Sequence, residues 1–282
     1  MIDEISFIIP VFNERESLPD LLKSLGVLLA AGVAKSEIIV INDGSTDGSE
    51  LLVPEPIKLI NSDKQCGYGA SIKKGLRKAE YSKICIIDAD GTYPTEAVKT
   101  LLAKYRGEDM LVGKRDNIDL SLLRKPVKWI INKFAGFLTG EKIPDLNSGL
   151  RIFKKDQAMK FFSYFPDGFS FTTTITAAFL TNGMTVNYEI IPYLKRSGKS
   201  SFRPFSDTKN MILLIIRTTL YFNPLKVLLP LGAFFVIIAA VVLGVSWKMG
   251  EILDATVSVL VSVAIQIFVL AFIADVVKQN KN

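Results

Sequence analysis

Two carboxylates stand one residue apart at Asp88-Ala89-Asp90, where the apolar run Ile84-Cys85-Ile86-Ile87 stops. A strand that ends on two acids leaves both at the C-terminal edge of a sheet, where open α/β folds bind ligands. Carboxylate oxygens are hard ligands, suited to Mg²⁺ or Mn²⁺ holding a substrate diphosphate. An Asp pair before a glycine also serves simply to cap a turn, so its meaning depends on its neighbours. Two further strand ends are alike in kind: Pro10-Val11-Phe12-Asn13-Glu14 and Asp43-Gly44-Ser45. Asp43 is a candidate acceptor for a base or ribose, and backbone amides around Gly44 for phosphate oxygens. Two nucleotide fingerprints fail. Gly67-Tyr68-Gly69 has Ile72 where a dinucleotide loop needs its third glycine, and Gly198-Lys199-Ser200 has Tyr193 where a phosphate-binding loop starts on glycine.

The elements that must position these residues follow from periodicity. Ile5–Pro10, Glu37–Ile41, Ile57–Ile60, Lys83–Ile87 and Met110–Val112 read as strands, and Glu16–Ala30, Ala70–Ala79 and Thr95–Tyr105 as helices between them. Strands alternating with helices predict an α/β fold, a mostly parallel sheet covered by helices on both faces. Beyond Ser121 the pattern predicts helices, a strand near Leu150–Phe153, a helix near Thr172–Thr181 and a strand near Thr185–Ile191.

Composition removes several classes. The 282 residues contain no histidine, which excludes His-based zinc sites, His general bases and Ser-His triads. A net charge of +6 is too modest to imply a nucleic-acid partner. Cys66 and Cys85 suggest no disulfide framework and point to a reducing compartment. The N-terminal apolar run Ile5–Ile9 is too short for a signal peptide.

The C-terminal region is of another kind. Residues 227–247 and 255–274 carry no charge, and at 1.5 Å per residue each spans about 30 Å, the thickness of a bilayer core. Basic residues Arg196, Lys199, Arg203, Lys209, Arg217 and Lys226 precede the pair, Lys278 and Lys281 follow it, and the connecting turn holds only Lys248. That bias predicts a two-span membrane protein with its N-terminal domain and both termini cytoplasmic. The expected organisation is a cytosolic domain over 1–204, an amphipathic interfacial helix over 205–224, and the two spans with a short tail over 225–282. Gly232, Ala233, Ala239, Ala240 and Gly244 permit close helix contact, compatible with a homo-oligomer.

Taken in order, Ile8-Ile9-Pro10-Val11-Phe12-Asn13-Glu14, Ile41-Asn42-Asp43-Gly44-Ser45-Thr46-Asp47, Gly67-Tyr68-Gly69-Ala70 and Asp88-Ala89-Asp90-Gly91 resemble the successive motifs of family 2 glycosyltransferases. The resemblance covers about residues 5–203. Leu111-Val112-Gly113-Lys114-Arg115, Asp145-Leu146-Asn147-Ser148-Gly149-Leu150-Arg151 and Arg196-Ser197-Gly198-Lys199-Ser200 are similar to the dolichyl- or polyprenyl-phosphate sugar synthase branch, as is a two-span anchor. The resemblance implies a GT-A type domain using a UDP- or GDP-linked sugar and a polyprenyl phosphate lipid. Pro10, Phe12, Glu14, Asp43, Asp88 and Ala89 would then contact the nucleotide. Asp88 and Asp90 would hold Mg²⁺ or Mn²⁺, Asp90 more directly. Arg115, Arg124 and Arg151 would surround the acceptor phosphate or donor diphosphate, with Asp90, Arg115 and Arg151 as the catalytic set. Arg196 and Lys199 would lie near the lipid entrance. Dolichyl-phosphate mannose synthases often carry Gln two residues beyond the second Asp, where this chain has Thr92.

The acceptor can be reasoned from its chemistry. A sugar hydroxyl needs a carboxylate base for its proton. A lipid phosphate is already anionic and needs guanidinium groups to orient it. Family 2 enzymes acting on hydroxyls usually place an acid in the second half, where this chain reads Phe169-Ser170-Phe171-Thr172-Thr173-Thr174. The Gln-x-x-Arg-Trp motif of processive synthases is also missing; Trp129 follows Lys128. Asp145 and Glu189 are the fallback bases. The alternatives are transfer to a lipid or glycan hydroxyl and, from another class, an inactive sugar-nucleotide-binding scaffold.

Overall fold

Ile5, Phe7, Ile8 and Ile9 are all fully buried, so strand β1 (Glu4–Val11) has no solvent face. Burial on both faces is the mark of a central strand in a parallel sheet. The computed structural model describes residues 2–116, 140–168, 170–194, 223–250 and 254–279, with 136, 213, 216, 217, 219 and 220 besides. The chain divides into two units, Met1–Leu214 and Ile215–Asn282.

In the first unit β1 is followed by α1 (Leu18–Gly32), β2 (Lys35–Asn42), β3 (Lys58–Asn61), α2 (Tyr68–Lys78), β4 (Lys83–Ile86), α3 (Thr95–Lys104) and β5 (Met110–Arg115). After the undescribed stretch come β6 (Arg151–Lys154), α4 (Lys155–Met159), α5 (Phe171–Thr181) and β7 (Val186–Ile191). Helix α1 buries Leu18, Leu21, Leu22, Leu25 and Leu29, the i, i+3, i+4, i+7 spacing of one helical face. It begins two residues later than periodicity suggests. Glu14 and Ser17 are engaged outside the helix instead: the Glu14 amide donates to Ser49 Oγ at 3.1 Å and Ser17 Oγ to the Ala89 carbonyl at 2.6 Å.

The seven strands lie in the order β3-β2-β1-β4-β6-β5-β7. Four of the six pairings are parallel, and β6 runs against both neighbours, β4 and β5. The expected α/β fold with a mostly parallel sheet is therefore found as a mixed sheet, the reversal confined to β6. Register places Arg151, the first residue of β6, between Ile86 of β4 and Val112 of β5. The core joins Phe7, Ile9, Leu25, Val40, Cys85, Leu101 and Ile152 across sheet and helices. Cys85 lies in that core and Cys66 at the surface, both as free thiols.

The second unit contains α6 (Pro224–Met249) and α7 (Asp254–Gln279), both long and apolar enough to cross a membrane. At 26 residues α6 extends about 39 Å. Asn223 caps it by accepting the Lys226 amide, and Gly250 ends it in the left-handed conformation. The two helices pack on small residues: Ala239, Ala264 and Ala271 are buried, and any Cβ on Gly232 would strike the Phe268 ring. Gly232 and Ala239 are thus used within the hairpin, whereas Ala233, Ala240 and Gly244 stay exposed. Of the predicted interfacial helix over 205–224, residues 205–212, 214, 215, 218, 221 and 222 lie outside the described residues.

Candidate active site

Strand order reverses at β1 and β4, since β2 and β3 continue to one side of β1 and β4 lies on the other. The crevice at the carboxyl ends of two such strands is where doubly wound sheets receive ligands. Phe12 and Glu14 leave β1 there, and Asp88, Ala89 and Asp90 leave β4.

On the β1 side two loops are laced together. Asn13 takes a positive φ of 56°, and its Oδ1 accepts the Thr46 amide at 2.8 Å while its own amide donates to Ser45 Oγ at 3.0 Å. The Arg15 amide donates to Asp47 Oδ2 at 3.0 Å, and the Arg15 guanidinium donates to the Asp47 carbonyl at 2.8 Å. Slight burial pushes the Asp47 carboxyl up, but donors from Ser49, Arg15 and its own backbone outweigh that and hold it below its ordinary range. Phe12 stands 39% exposed beside this lacework, open to stack on a flat ring. Asp43 is buried, and both its oxygens are engaged: Oδ1 by the Cys66 amide and Oδ2 by the Gly67 amide, each at 2.8 Å. Its visible work is to hold the loop that enters α2.

The acids at the end of β4 are held differently. Asp88 Oδ1 accepts the Tyr68 hydroxyl at 2.9 Å, and Asp90 Oδ1 accepts the Thr92 hydroxyl at 2.6 Å and the Thr92 amide at 3.2 Å. Gly149 lies so close over Asp88 that any side chain there would overlap the carboxylate. Burial, and then the charge of Asp90, push the Asp88 carboxyl up to about 6 against the pull of Tyr68, Arg115 and Arg151. The pair fits a divalent cation. Its donors are hard oxygens, the Asp88 carboxyl carries a raised proton affinity beside a second acid, and cations of this class take one or two carboxylates and complete their shell from substrate phosphates and water. No group of three or more metal-ligating side chains exists among the described residues.

The two arginines separate sharply. Arg115 forms a two-point ion pair with Asp145, Nε to Oδ2 and Nη2 to Oδ1 at 2.8 Å each, and lies over the Tyr193 ring. Its side chain keeps 16% of its exposure. Arg151 is fully buried. Its guanidinium donates to the Ser148 carbonyl through Nε and Nη2, to the Thr172 carbonyl at 3.0 Å and to Thr176 Oγ1 at 3.0 Å. These contacts tie the 146–148 loop to α5.

The sequence pattern of Glycosyl transferase family 2 matches residues 6–162, more than half of the chain. The chain belongs to that family. Over 162 residues it is 30% identical to the undecaprenyl-phosphate 4-deoxy-4-formamido-L-arabinose transferase of Klebsiella pneumoniae subsp. pneumoniae, covering 55% of this chain and 50% of that protein. The chain thus spans about half the length of the curated relative it matches. Its fold is that of the glucosyl-3-phosphoglycerate synthase of Mycobacterium tuberculosis, solved with Mn²⁺, UDP and phosphoglyceric acid (TM-score 0.62, 14% identity, 77% of this chain and 78% of that one). The mannosyl-3-phosphoglycerate synthase of Rubrobacter xylanophilus is similar to the same degree (TM-score 0.60, 14% identity, 77% and 74%). These likenesses place the catalytic unit of this family 2 chain in the GT-A class.

Within that frame, the structure brings Pro10, Phe12, Glu14, Asp43, Asp88, Ala89, Asp90 and Arg115 to one end of the sheet. Arg124, Arg196 and Lys199 lie outside the described residues. Both fallback bases are paired: Asp145 twice to Arg115, and Glu189 to Lys104 at 4.0 Å. Sequence assigns no individual role to Tyr68, Gly149 or Tyr93, whose hydroxyl accepts the Gly149 amide at 2.8 Å. Tyr68 and Gly149 do lie within the family-like motifs Gly67–Ala70 and Asp145–Arg151.

Proposed function

We propose that this chain transfers one glycosyl group from a nucleoside-diphosphate sugar to polyprenyl phosphate, with inversion, at the cytoplasmic face of a membrane. The observation that carries the acceptor is the state of the acids near the site. Asp145 is locked in its ion pair, and the first turn of α5 carries no acidic residue. A nucleophile that is already an anion needs no base. Two helices fit to span a bilayer, and a relative whose name specifies undecaprenyl phosphate, support the same acceptor.

In this reading the lacework of loops after β1 and β2 holds Phe12, Glu14 and Asp43 as the receiving surface for the nucleoside. Asp88 and Asp90 would hold Mg²⁺ or Mn²⁺, which neutralises the leaving diphosphate as a Lewis acid. Arg115, with N–H groups left over from Asp145, faces phosphate oxygens and steadies their charge. The lipid phosphate oxygen forms its bond to the anomeric carbon as the bond from that carbon to the nucleoside diphosphate breaks, so no proton needs to move. The positive-inside bias puts both termini and the catalytic unit on the cytoplasmic side, and the donor is UDP- or GDP-linked.

The test is a transfer assay on the full-length protein in detergent. It supplies undecaprenyl or dolichyl phosphate, Mg²⁺ or Mn²⁺, and a panel of labelled sugar nucleotides. Label entering the organic phase only with lipid phosphate and cation present is the expected result. Label entering a hydroxyl acceptor instead would replace the acceptor, and no donor turnover with any acceptor would remove the enzymatic reading.

A further inference from the structure

A carboxylate does not set its own plane. The last torsion of an Asp side chain is an sp³–sp² rotation with a broad minimum, so the direction of its oxygens is fixed only by what they bond. Each acid of the 88–90 pair carries one hydroxyl donor, from a different element. Tyr68 opens α2 and ends on Asp88 Oδ1; Thr92 follows β4 and ends on Asp90 Oδ1. Both donors are themselves immobilised. The loop before Tyr68 hangs from Asp43 by two amides, and the next amides of α2 donate to the 167–168 carbonyls, Gly69 to Gly168 at 3.2 Å and Ala70 to Asp167 at 3.0 Å. Any Cβ on Gly67 or Gly69 would run into the carbonyls of residues 166–168, so the backbone there sits in one place. Thr92 is 1% exposed, and its carbonyl accepts the Leu194 amide at 2.8 Å.

We propose that Tyr68 and Thr92 are paired positioning residues that aim one carboxylate each at the shared divalent cation, Tyr68 acting through Asp88 and Thr92 through Asp90. This rests on the glycosyltransferase reading given above. The Thr92 hydroxyl donates to Asp90 at 2.6 Å, and a threonine has a single proton to give, so its one donor is spent on orienting that carboxylate. Asp43 then has a place in the same chain of command. It fixes the loop that fixes Tyr68, which links the end of β2 to the end of β4 across the crevice.

The experiment uses full-length protein in detergent and three readouts on Tyr68→Phe and Thr92→Val, both close to isosteric. These are Mn²⁺ affinity by electron paramagnetic resonance in the presence of UDP or GDP (whichever the wild type binds more tightly), affinity for that nucleotide without metal, and melting temperature. Loss of an outer partner of a metal ligand typically costs about 10–100-fold in metal affinity, so each variant is expected to lose that much Mn²⁺ affinity with metal-free nucleotide binding within about twofold of wild type. Unchanged Mn²⁺ affinity overturns the inference, as does an equal loss of both affinities, which would make the hydroxyls mere supports of the fold. Wild-type protein that binds no Mn²⁺ with either nucleotide would instead fail the glycosyltransferase reading beneath it.

Discussion

The loops that follow β1 and β2 and the ledge that follows β4 face the same crevice but are built on opposite principles. In the first, two acids are held by donors: Asp47 by the Arg15 and Ser49 amides and Asp43 by two amides of the 66–67 loop. In the second, two acids are brought together, one of them under the Gly149 backbone, with its proton affinity raised. The first region is finished before any ligand arrives. The second stores an electrostatic cost that a cation would relieve. A site that must recognise a flat nucleoside gains from rigidity. One that must bind a diphosphate and its metal gains from unbalanced charge.

The contrast can be broken most severely at Asp90. Asp90→Asn keeps an acceptor for Thr92 but removes the charge, and transfer measured with Mn²⁺ should fall by roughly 10³-fold. Activity within a few-fold of wild type would end the metal role. Arg151→Lys comes next and acts on the fold. A lysine cannot serve the carbonyls that the guanidinium now bridges, and breaking so buried a charged network costs about 3 kcal/mol, read as a lowered melting temperature of the full-length protein. A fully stable Lys variant would put Arg151 on the substrate side. Gly149→Ala forces the Asp88 carboxylate aside, and a displacement on the scale of 1 Å costs about 10²-fold in turnover. Wild-type turnover would show that the ledge is compliant.

Smaller effects sharpen the other side. Asn13→Gly preserves the positive φ but loses the bond from the Thr46 amide, about 1 kcal/mol of stability, with a rise in donor KM and little change in kcat. A change in kcat alone would contradict a purely receptive role for these loops. Asp47 gives the mildest test. Its carboxyl is held below the ordinary value of 3.8, so its contribution is fully present above that pH and fades as the pH falls through the depressed value. The melting-temperature gap between wild type and Asp47→Asn should be flat above about pH 5 and close below pH 3.8. A gap that is independent of pH would mean the carboxylate charge is irrelevant there.

Much of this arrangement was legible without coordinates, because apolar runs ending on acids announce both a strand and what leaves it. Strands β1, β2 and β4 and the acids at their ends were found that way. Arg151 shows what such reading leaves open. An arginine at the start of a strand looks the same whether it faces a phosphate or a set of carbonyls, since backbone carbonyls leave no signature in sequence. The reversed insertion of β6 was hidden too. A short apolar run such as Arg151–Lys154 carries no mark of direction, and pairing across a long separation is decided by packing. In sequence Thr92 is a departure from a family pattern whose hydroxyl could still coordinate weakly or through water. Its bond to Asp90 explains how a shorter side chain occupies that position.

The insertion of β6 has a consequence for how the chain is made. Strands β1 to β4 need nothing beyond residue 86 to assemble, so half of the sheet can form as the ribosome delivers it. The outer edge of β4 must then wait, unpaired, until Arg151 to Lys154 emerge and fill it. An open edge of buried-type residues, Ile84, Cys85 and Ile86, is a template for pairing with another nascent copy. Synthesis that stalls between β5 and β6 therefore leaves the growing protein at its most aggregation-prone, and a chain truncated there should accumulate as insoluble material.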